Sequence, residues 1–337
     1  MATTNEDEKI LYQEDDDFKK LITSLPREKG WRVPDIYQFQ GFWYHSLMLN
    51  CFFESQKHFE AQDSDIVLAT FPKCGTTWLK ALVFTIVNRK KHSPFSQEHP
   101  LLTSNPHAIV RSLEFDIFLP NRTPDLSSLT TPGIVATHSN FGLLANSILE
   151  TKCRIIYLCR NPKDTFISYF HYAKKSRFNY YEGISSIEEG VDMFCKGMIP
   201  CGPIWNHVLD YWKASLDSPD KIFFVTYEEL QSEPVSMLRR MADFLGYSFS
   251  DEEEESGMVD AIVKLCSFEK LSNLKVNVDG KAGYGLEYKH YFRKGGVGDW
   301  KNHLTNEMVE RMDAVVEEKL QGSGLMEAKA AFSKSNA

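Results

Sequence analysis

Asp65-Ile66-Val67-Leu68-Ala69-Thr70-Phe71-Pro72-Lys73-Cys74-Gly75-Thr76-Thr77-Trp78 carries the fold of this chain in miniature. Its first seven residues form a short apolar run closed by Pro72, the pattern of a strand buried on both faces. From Thr76 to Asn88 the period changes to that of a helix, with Trp78, Leu79, Leu82, Val83 and Ile86 on one face. A strand that turns directly into a helix leaves free backbone N–H groups at the positive end of the helix dipole. Lys73, Gly75, Thr76 and Thr77 add a charge, room for close backbone approach and two hydroxyl donors. That combination suits a phosphate or a sulfate. The turn is not the G-x-x-x-x-G-K-[ST] loop of nucleoside triphosphatases, which would need Gly at position 70 and Lys at position 76, where this chain has Thr70 and Thr76. Read alone, Gly75-Thr76-Thr77 serves equally well as a helix cap.

Three more strands follow, at 133–138, 154–159 and 221–226, each a short apolar run. Helices are expected at about 17–24, 40–59, 162–174, 186–197, 203–216, 234–245, 251–265 and 305–320. Pro162 suits a first helical position. The acidic run Asp251–Glu255 lies where the dipole of its helix favours it. Residues 92–132 read as irregular with short helices, and 275–299 as a Gly- and Lys-rich loop. Strands alternating with helices imply a mainly parallel sheet in one α/β domain, over about 18–330. A disordered acidic tail at 1–17 and a flexible tail at 331–337 flank it. Such sheets bind ligands beyond the carboxyl ends of their strands.

Of the 337 residues, 42% are hydrophobic and 25% charged, which is globular rather than disordered composition. The net charge of −8 disfavours nonspecific nucleic-acid binding. It comes from two blocks, residues 1–17 and 251–255, and the rest of the chain is slightly basic. The body of the protein can therefore accept an anion. Seven cysteines without a Cys-x-x-Cys pair fit reduced thiols and a cytoplasmic location better than a zinc site or a disulfide framework. The acidic start lacks an apolar signal segment, and no apolar stretch is long enough to span a membrane.

Two further segments raise the anion reading of the turn. Arg160-Asn161-Pro162-Lys163-Asp164 follows the third strand, with Ser168 on the helix behind it. Phe292-Arg293-Lys294-Gly295-Gly296-Val297-Gly298-Asp299-Trp300-Lys301 puts adjacent cations in a glycine-rich loop. Together the segments offer two anion sites, suited to a ligand with two separated phosphates.

These three segments resemble the soluble (cytosolic) sulfotransferase family, in order and in separation, from about residue 60 to 320. Leu25–Trp31, Gln40–Trp43 and His99–Leu102 resemble its plant branch. The resemblance implies a three-layer α/β/α fold with a P-loop-like phosphosulfate-binding loop. It also implies the donor 3′-phosphoadenosine 5′-phosphosulfate (PAPS), released as 3′,5′-ADP. Lys73, Cys74, Gly75, Thr76 and Thr77 would hold the 5′-phosphosulfate. Arg160, Ser168, Arg293, Lys294 and Gly295 would hold the 3′-phosphate. Trp78 and Phe268 would sandwich the adenine, with Tyr227 at its edge. His138, in the Thr-His pair that closes the second strand, would be the general base, and Lys73 would stabilise the leaving bridging oxygen. No metal is called for, because cationic side chains suffice for a sulfuryl group.

The acceptor implied is a small hydroxyl compound, a flavonoid, a steroid or brassinosteroid, or another plant metabolite. Phe95, Phe115, Phe118, Tyr180 and Tyr181 are candidates for its pocket. No membrane or nucleic-acid partner is implied. A monomer or weak homodimer is expected, since Asn306 stands where the dimer motif of animal relatives has Val. Ala136 stands where those relatives often carry a lysine, which plant relatives commonly lack. Two rival readings are a nucleotide-dependent small-molecule kinase, for which a Walker lysine and a magnesium carboxylate are missing, and a catalytically inactive nucleotide-binding relative, which retention of Lys73, His138 and Ser168 disfavours.

Overall fold

The protein is seen here as a computed structural model that describes residues 16–126, 132–175, 183–282 and 286–332. Helix α1 (Asp16–Ser24) leads into a three-stranded antiparallel sheet of β1 (Arg27–Lys29), β2 (Asp35–Phe39) and β3 (Phe42–Tyr44), followed by α2 (Ser46–His58). The phosphate-loop unit is β4 (Ile66–Thr70) and α3 (Thr76–Asn88). Short helical turns at Pro100–Leu102, Pro106–Ile109 and Leu113–Phe118 lead to β5 (Ile134–Thr137). Next come β6 (Arg154–Cys159), α4 (Pro162–Lys175), α5 (Ile187–Cys195), α6 (Ile204–Asp217) and β7 (Ile222–Thr226). Helices α7 (Tyr227–Ser232), α8 (Pro234–Leu245), α9 (Asp251–Glu255), α10 (Met258–Leu265), α11 (Phe268–Ser272) and α12 (Asn306–Leu320) complete the frame.

Strands β4 to β7 form a parallel sheet in the order β5-β4-β6-β7. Alternation along each strand divides the core between its two faces. Val67, Ala69, Val135, Ile155 and Tyr157 point to one side, packed in a cluster with Phe166 of α4, Val191 of α5, Val208 of α6 and Met312 of α12. Ile66, Leu68, Ala136, Ile156 and Leu158 point to the other, packed with Leu79 of α3, Leu238 of α8 and Ile262 of α10. The result is three layers, as the strand and helix alternation implies. No helix among the described residues is long and apolar enough to cross a membrane.

Four expectations need correction. The helix expected over 40–59 begins only at Ser46, because Gln40 (φ 49°) and Gly41 (φ 83°) make a two-residue left-handed turn that pairs β2 with β3. The helix expected over 251–265 is interrupted at Ser256-Gly257, where Gly257 (φ 72°) caps α10 from a left-handed conformation. Asp16 and Asp17 open α1 and are not part of a tail. At the other end, Ala331 and Phe332 are buried in the core, so the chain stays packed past the tail boundary expected at 331. Residues 1–15 and 333–337 lie outside the described residues.

Phe166 is fully buried beneath the sheet, in edge contact with Trp31 and Phe194. Phe166→Ala is expected to destabilise the protein by about 3–5 kcal/mol, the usual cost of an emptied aromatic core site. The urea unfolding midpoint would report it, and a loss below 1 kcal/mol, roughly a surface-like cost, would show that this layer does not depend on the ring.

Candidate active site

The carboxyl ends of β4, β5, β6 and β7 all face one edge of the sheet, and the sequence continues there into Phe71–Gly75, His138, Arg160 and Tyr227. Lys73 (φ 71°) and Gly75 (φ 109°) are both left-handed, which bends the chain sharply from β4 into α3. Gly75 has a further reason to be glycine: a Cβ there would stand 2.7 Å from the Tyr227 ring and 3.2 Å from Leu158. A cavity of about 310 Å³ opens at this edge. Lys73, Gly75, Thr76, Thr77, Trp78, His138, Arg160, Ser168, Tyr227, Phe268, Arg293, Lys294 and Gly295 all line it. Of the predicted site residues, Cys74 alone is turned away. It is fully buried with Sγ 3.5 Å from Thr165 Oγ1, so it can give the loop only backbone groups.

The cationic half of the cavity is built on one carboxylate. Asp164, fully buried in the first turn of α4, accepts from the backbone N–H groups of Gly298 (2.7 Å) and Trp300 (3.1 Å). This docks the glycine-rich loop against the end of β6. Asp164 also lies 3.4 Å from Arg160, which donates to the Gly296 carbonyl at 2.5 Å and stacks over the Tyr227 ring at 4.5 Å. Arg293 pairs with Asp299 at 2.5 Å. Tyr227 donates to the Gly295 carbonyl (2.8 Å) and meets Trp78 edge to face, with ring centroids 5.3 Å apart. Trp78 Nε1, Arg160 Nε and Arg293 Nε are buried donors with no hydrogen-bond partner among the described residues. Unused donors beside Lys73 and Lys294 fit a polyanionic ligand that accepts hydrogen bonds.

Lys73 stands over the Tyr172 ring at 4.2 Å. Burial, followed by repulsion from Arg32, Arg293 and Arg160, lowers its pKa to about 7. A bound anion would reverse the second effect.

His138 Nδ1 lies 2.8 Å from the Thr70 carbonyl and 3.1 Å from Thr70 Oγ1. A carbonyl can only accept, so Nδ1 carries the proton and Nε2 keeps its lone pair. Burial lowers the pKa of His138 to about 4, with Lys80 and Lys73 acting in the same direction against the hydrogen bond to Thr70. The ring is therefore neutral at neutral pH. Its backbone is fixed from both sides. Glu114 accepts from the His138 N–H (3.2 Å), from Ser112 Oγ (2.6 Å) and from Thr137 Oγ1. His207 Nε2–H donates to the His138 carbonyl (3.3 Å), while its Nδ1 accepts from Tyr157 OH (2.8 Å).

Sequence reasoning passed over several of these groups. Glu114 and His207 gave no motif signal. Lys80 was visible in principle, as a lysine one turn beyond Thr76 and Thr77 on an otherwise apolar helix. Arg32 and His45 enter the wall from the antiparallel sheet that the sequence did not reveal. Among the aromatic candidates for the acceptor end, Phe115 lines the cavity. Phe118 is core, and Phe95, 53% exposed, is not among the residues that line the cavity. Tyr180 and Tyr181 lie outside the described residues.

A sequence model of the sulfotransferase domain matches residues 63–324. Cytosolic sulfotransferase 12 of Arabidopsis thaliana is 47% identical over 91% of this chain and 93% of its own. Cytosolic sulfotransferase 15 of the same plant is 45% identical over 92% of this chain and 86% of its own. The crystal structure of an Arabidopsis thaliana sulphotransferase superimposes with a TM-score of 0.74 at 42% identity, over 93% of this chain and 98% of that one. A mouse sulfotransferase complexed with PAP shares the fold with a TM-score of 0.66 at 23% identity, over 88% and 99% of the two chains. The parallel sheet, its cation-lined edge and these matches define a sulfotransferase. Within that family the chain belongs with the plant cytosolic sulfotransferases.

Gly75→Ala tests the tight loop. The strained φ and the 2.7 Å approach to Tyr227 are expected to lower stability by about 1–3 kcal/mol, read from the urea midpoint. An unchanged midpoint would show that the loop relaxes without cost.

Proposed function

We infer that this chain transfers the sulfuryl group of PAPS to a hydroxyl of a small organic acceptor, with His138 as general base. The observation that carries this reading is the bond from His138 Nδ1 to the Thr70 carbonyl, which leaves the lone pair of Nε2 free to accept a proton. Sulfuryl transfer is an in-line displacement like phosphoryl transfer, with charge growing on the entering and leaving oxygens. As the acceptor oxygen attacks, its proton passes to Nε2. A positioned base of this kind contributes about 10²–10⁴-fold.

Lys73, Thr76 and Thr77 with the amides of the loop would meet the 5′-phosphosulfate. Lys73 would stabilise the leaving oxygen as 3′,5′-ADP forms. Arg160, Ser168, Arg293, Lys294 and the Gly295 backbone would hold the 3′-phosphate, and Trp78, Phe268 and Tyr227 the adenine. The orphaned donors on Trp78, Arg160 and Arg293 support a ligand of this chemistry. The acceptor end, with Phe115 and Tyr172 among its walls, suits a flat aromatic or steroid-like hydroxyl compound such as a flavonoid or brassinosteroid.

His138→Ala is expected to abolish transfer from labelled PAPS to phenolic and steroid acceptors while calorimetry still shows binding of 3′,5′-ADP. Transfer near the wild-type rate would remove His138 from the mechanism.

Two pH effects follow from the buried groups. The base works when neutral, so activity is lost as pH falls through the pKa of His138. The acid limb of kcat/KM for PAPS, which reports the enzyme before the donor binds, should therefore fall near pH 4, well below the unperturbed histidine value of ~6.5. At pH 8 Lys73, lowered to about 7, is largely neutral in the free protein. Binding of 3′,5′-ADP there should take up a proton, seen as a dependence of the binding enthalpy on buffer ionisation. An acid limb near ~6.5, or buffer-independent heats, would contradict these assignments.

A further inference from the structure

Lys80, His107 and Thr77 form a hydrogen-bonded row whose direction follows from the chemistry of its parts. Lys80 is 1% exposed and lines the cavity from α3. Its Nζ lies 3.1 Å from His107 Nδ1, and His107 Nε2 lies 2.9 Å from Thr77 Oγ1. Burial, with the neighbouring cations Lys80 and Lys73, holds the His107 pKa well below the usual histidine range, so the ring has one proton to place. Burial lowers the pKa of Lys80 to about 8 against the pull of Asp116 and Glu114, so at neutral pH it is mainly an ammonium, which has donors only. Nδ1 therefore accepts from Lys80, the ring proton sits on Nε2, and Thr77 Oγ1 accepts it.

The oxygen of Thr77 is thus engaged by His107, and its own hydroxyl hydrogen must be given elsewhere. Thr77 lies in the first turn of α3 and lines the cavity. The ring of His107 is not free to turn. Tyr291 stacks on it with centroids 4.0 Å apart and planes 17° from parallel. Its backbone N–H donates to Asn105 Oδ1 (2.8 Å), and the amide of buried Asn105 donates to Asn277 (2.8 Å).

We propose that Lys80 and His107 are positioning residues that orient the Thr77 hydroxyl as a hydrogen-bond donor into the anion site, toward the phosphosulfate of the donor. This rests on the donor reading given above. Neither Lys80 nor His107 needs to touch the donor. Together they fix which way one hydroxyl of the loop points, and Tyr291 ties that choice to the segment that carries Arg293 and Lys294.

The test is calorimetric binding of 3′,5′-ADP to the purified full chain, with donor KM and kcat alongside. His107→Phe keeps the ring stack and removes both ring nitrogens; Thr77→Val keeps the shape and removes the hydroxyl. Each should weaken binding about tenfold, the effect of losing one hydrogen bond to a charged group. The double variant should bind no more weakly than either single one, because the two act as one unit. Lys80→Met should match them, while Thr77→Ser, which restores the hydroxyl, should recover most of the affinity lost in Thr77→Val. The loss should appear in donor KM more than in kcat.

Additive losses in the double variant, or wild-type affinity in His107→Phe, would overturn the proposal. Should His107→Phe fail to fold, as judged by circular dichroism, the Lys80→Met and Thr77→Val pair decides by the same additivity criterion. A wild-type protein that does not bind 3′,5′-ADP would sink the donor reading and the proposal with it. Binding by wild type with unaffected variants would sink the proposal alone.

Discussion

Everything at the site depends on the parallel pairing of β4 with β5 on one side and β6 on the other. Ala69 stands opposite Thr137 and Thr70 opposite Leu158. That register brings three strand ends to one level, so that Thr70, His138 and Arg160 come from distant stretches of chain to the same edge. A shift of one residue in a strand would turn its side chains to the opposite face. The two halves of the core would then lose their partners, and the Thr70 carbonyl would no longer meet His138. The apolar alternation that divides the core is therefore also what aligns the chemistry.

Around that edge the difficulty is like charge. Lys73, Lys80, Arg160, Arg293 and Lys294 share one cavity wall, and Asp116 is the one carboxylate among the described lining residues. Carboxylates that organise these cations stand behind the wall. Asp164 holds the glycine-rich loop through two backbone N–H groups and approaches Arg160 from below. Asp299 restrains Arg293, and Glu114 is spent on hydroxyls and the His138 amide. The arrangement keeps the scaffold held by hydrogen bonds while leaving the cavity side positive. Of the acidic runs behind the net charge of −8, Asp251–Glu255 lines no part of this cavity.

Much of this was legible in the sequence because it rests on short-range patterns. The apolar run before Pro72 and the helical period from Thr76 locate β4 and α3, and the cations flank strands in order. What stayed hidden depends on contacts between remote residues. The β2–β3 turn needs Gln40 in a left-handed conformation, which no composition signal announces, so a hairpin was read as the start of a helix. Cys74 occupies a loop position that suggests contact with ligand, yet its small apolar character sends the thiol inward against Thr165. Glu114 and His207 look like ordinary polar residues in sequence, and only packing shows that each holds a backbone group of His138.

As the general base proposed above, a histidine with a pKa near 4 is weak for deprotonating an alcohol or phenol, and part of that weakness has a removable cause. Burial contributes most, but Lys73 and Lys80 contribute through their charge, and Lys73 itself is disfavoured as a cation by Arg32, Arg293 and Arg160. On the proposed reading the donor brings several negative charges against these same groups. Opposite charge within a few ångströms favours the protonated forms of both lysine and histidine. Lys73 then keeps its proton for the leaving oxygen, and the proton affinity of His138 rises. The cations of the site thus disfavour the charged form of Lys73 and weaken His138 as a base, and on the proposed reading the donor's negative charge supplies the working charge state. Donor binding and base strength become two consequences of the same field.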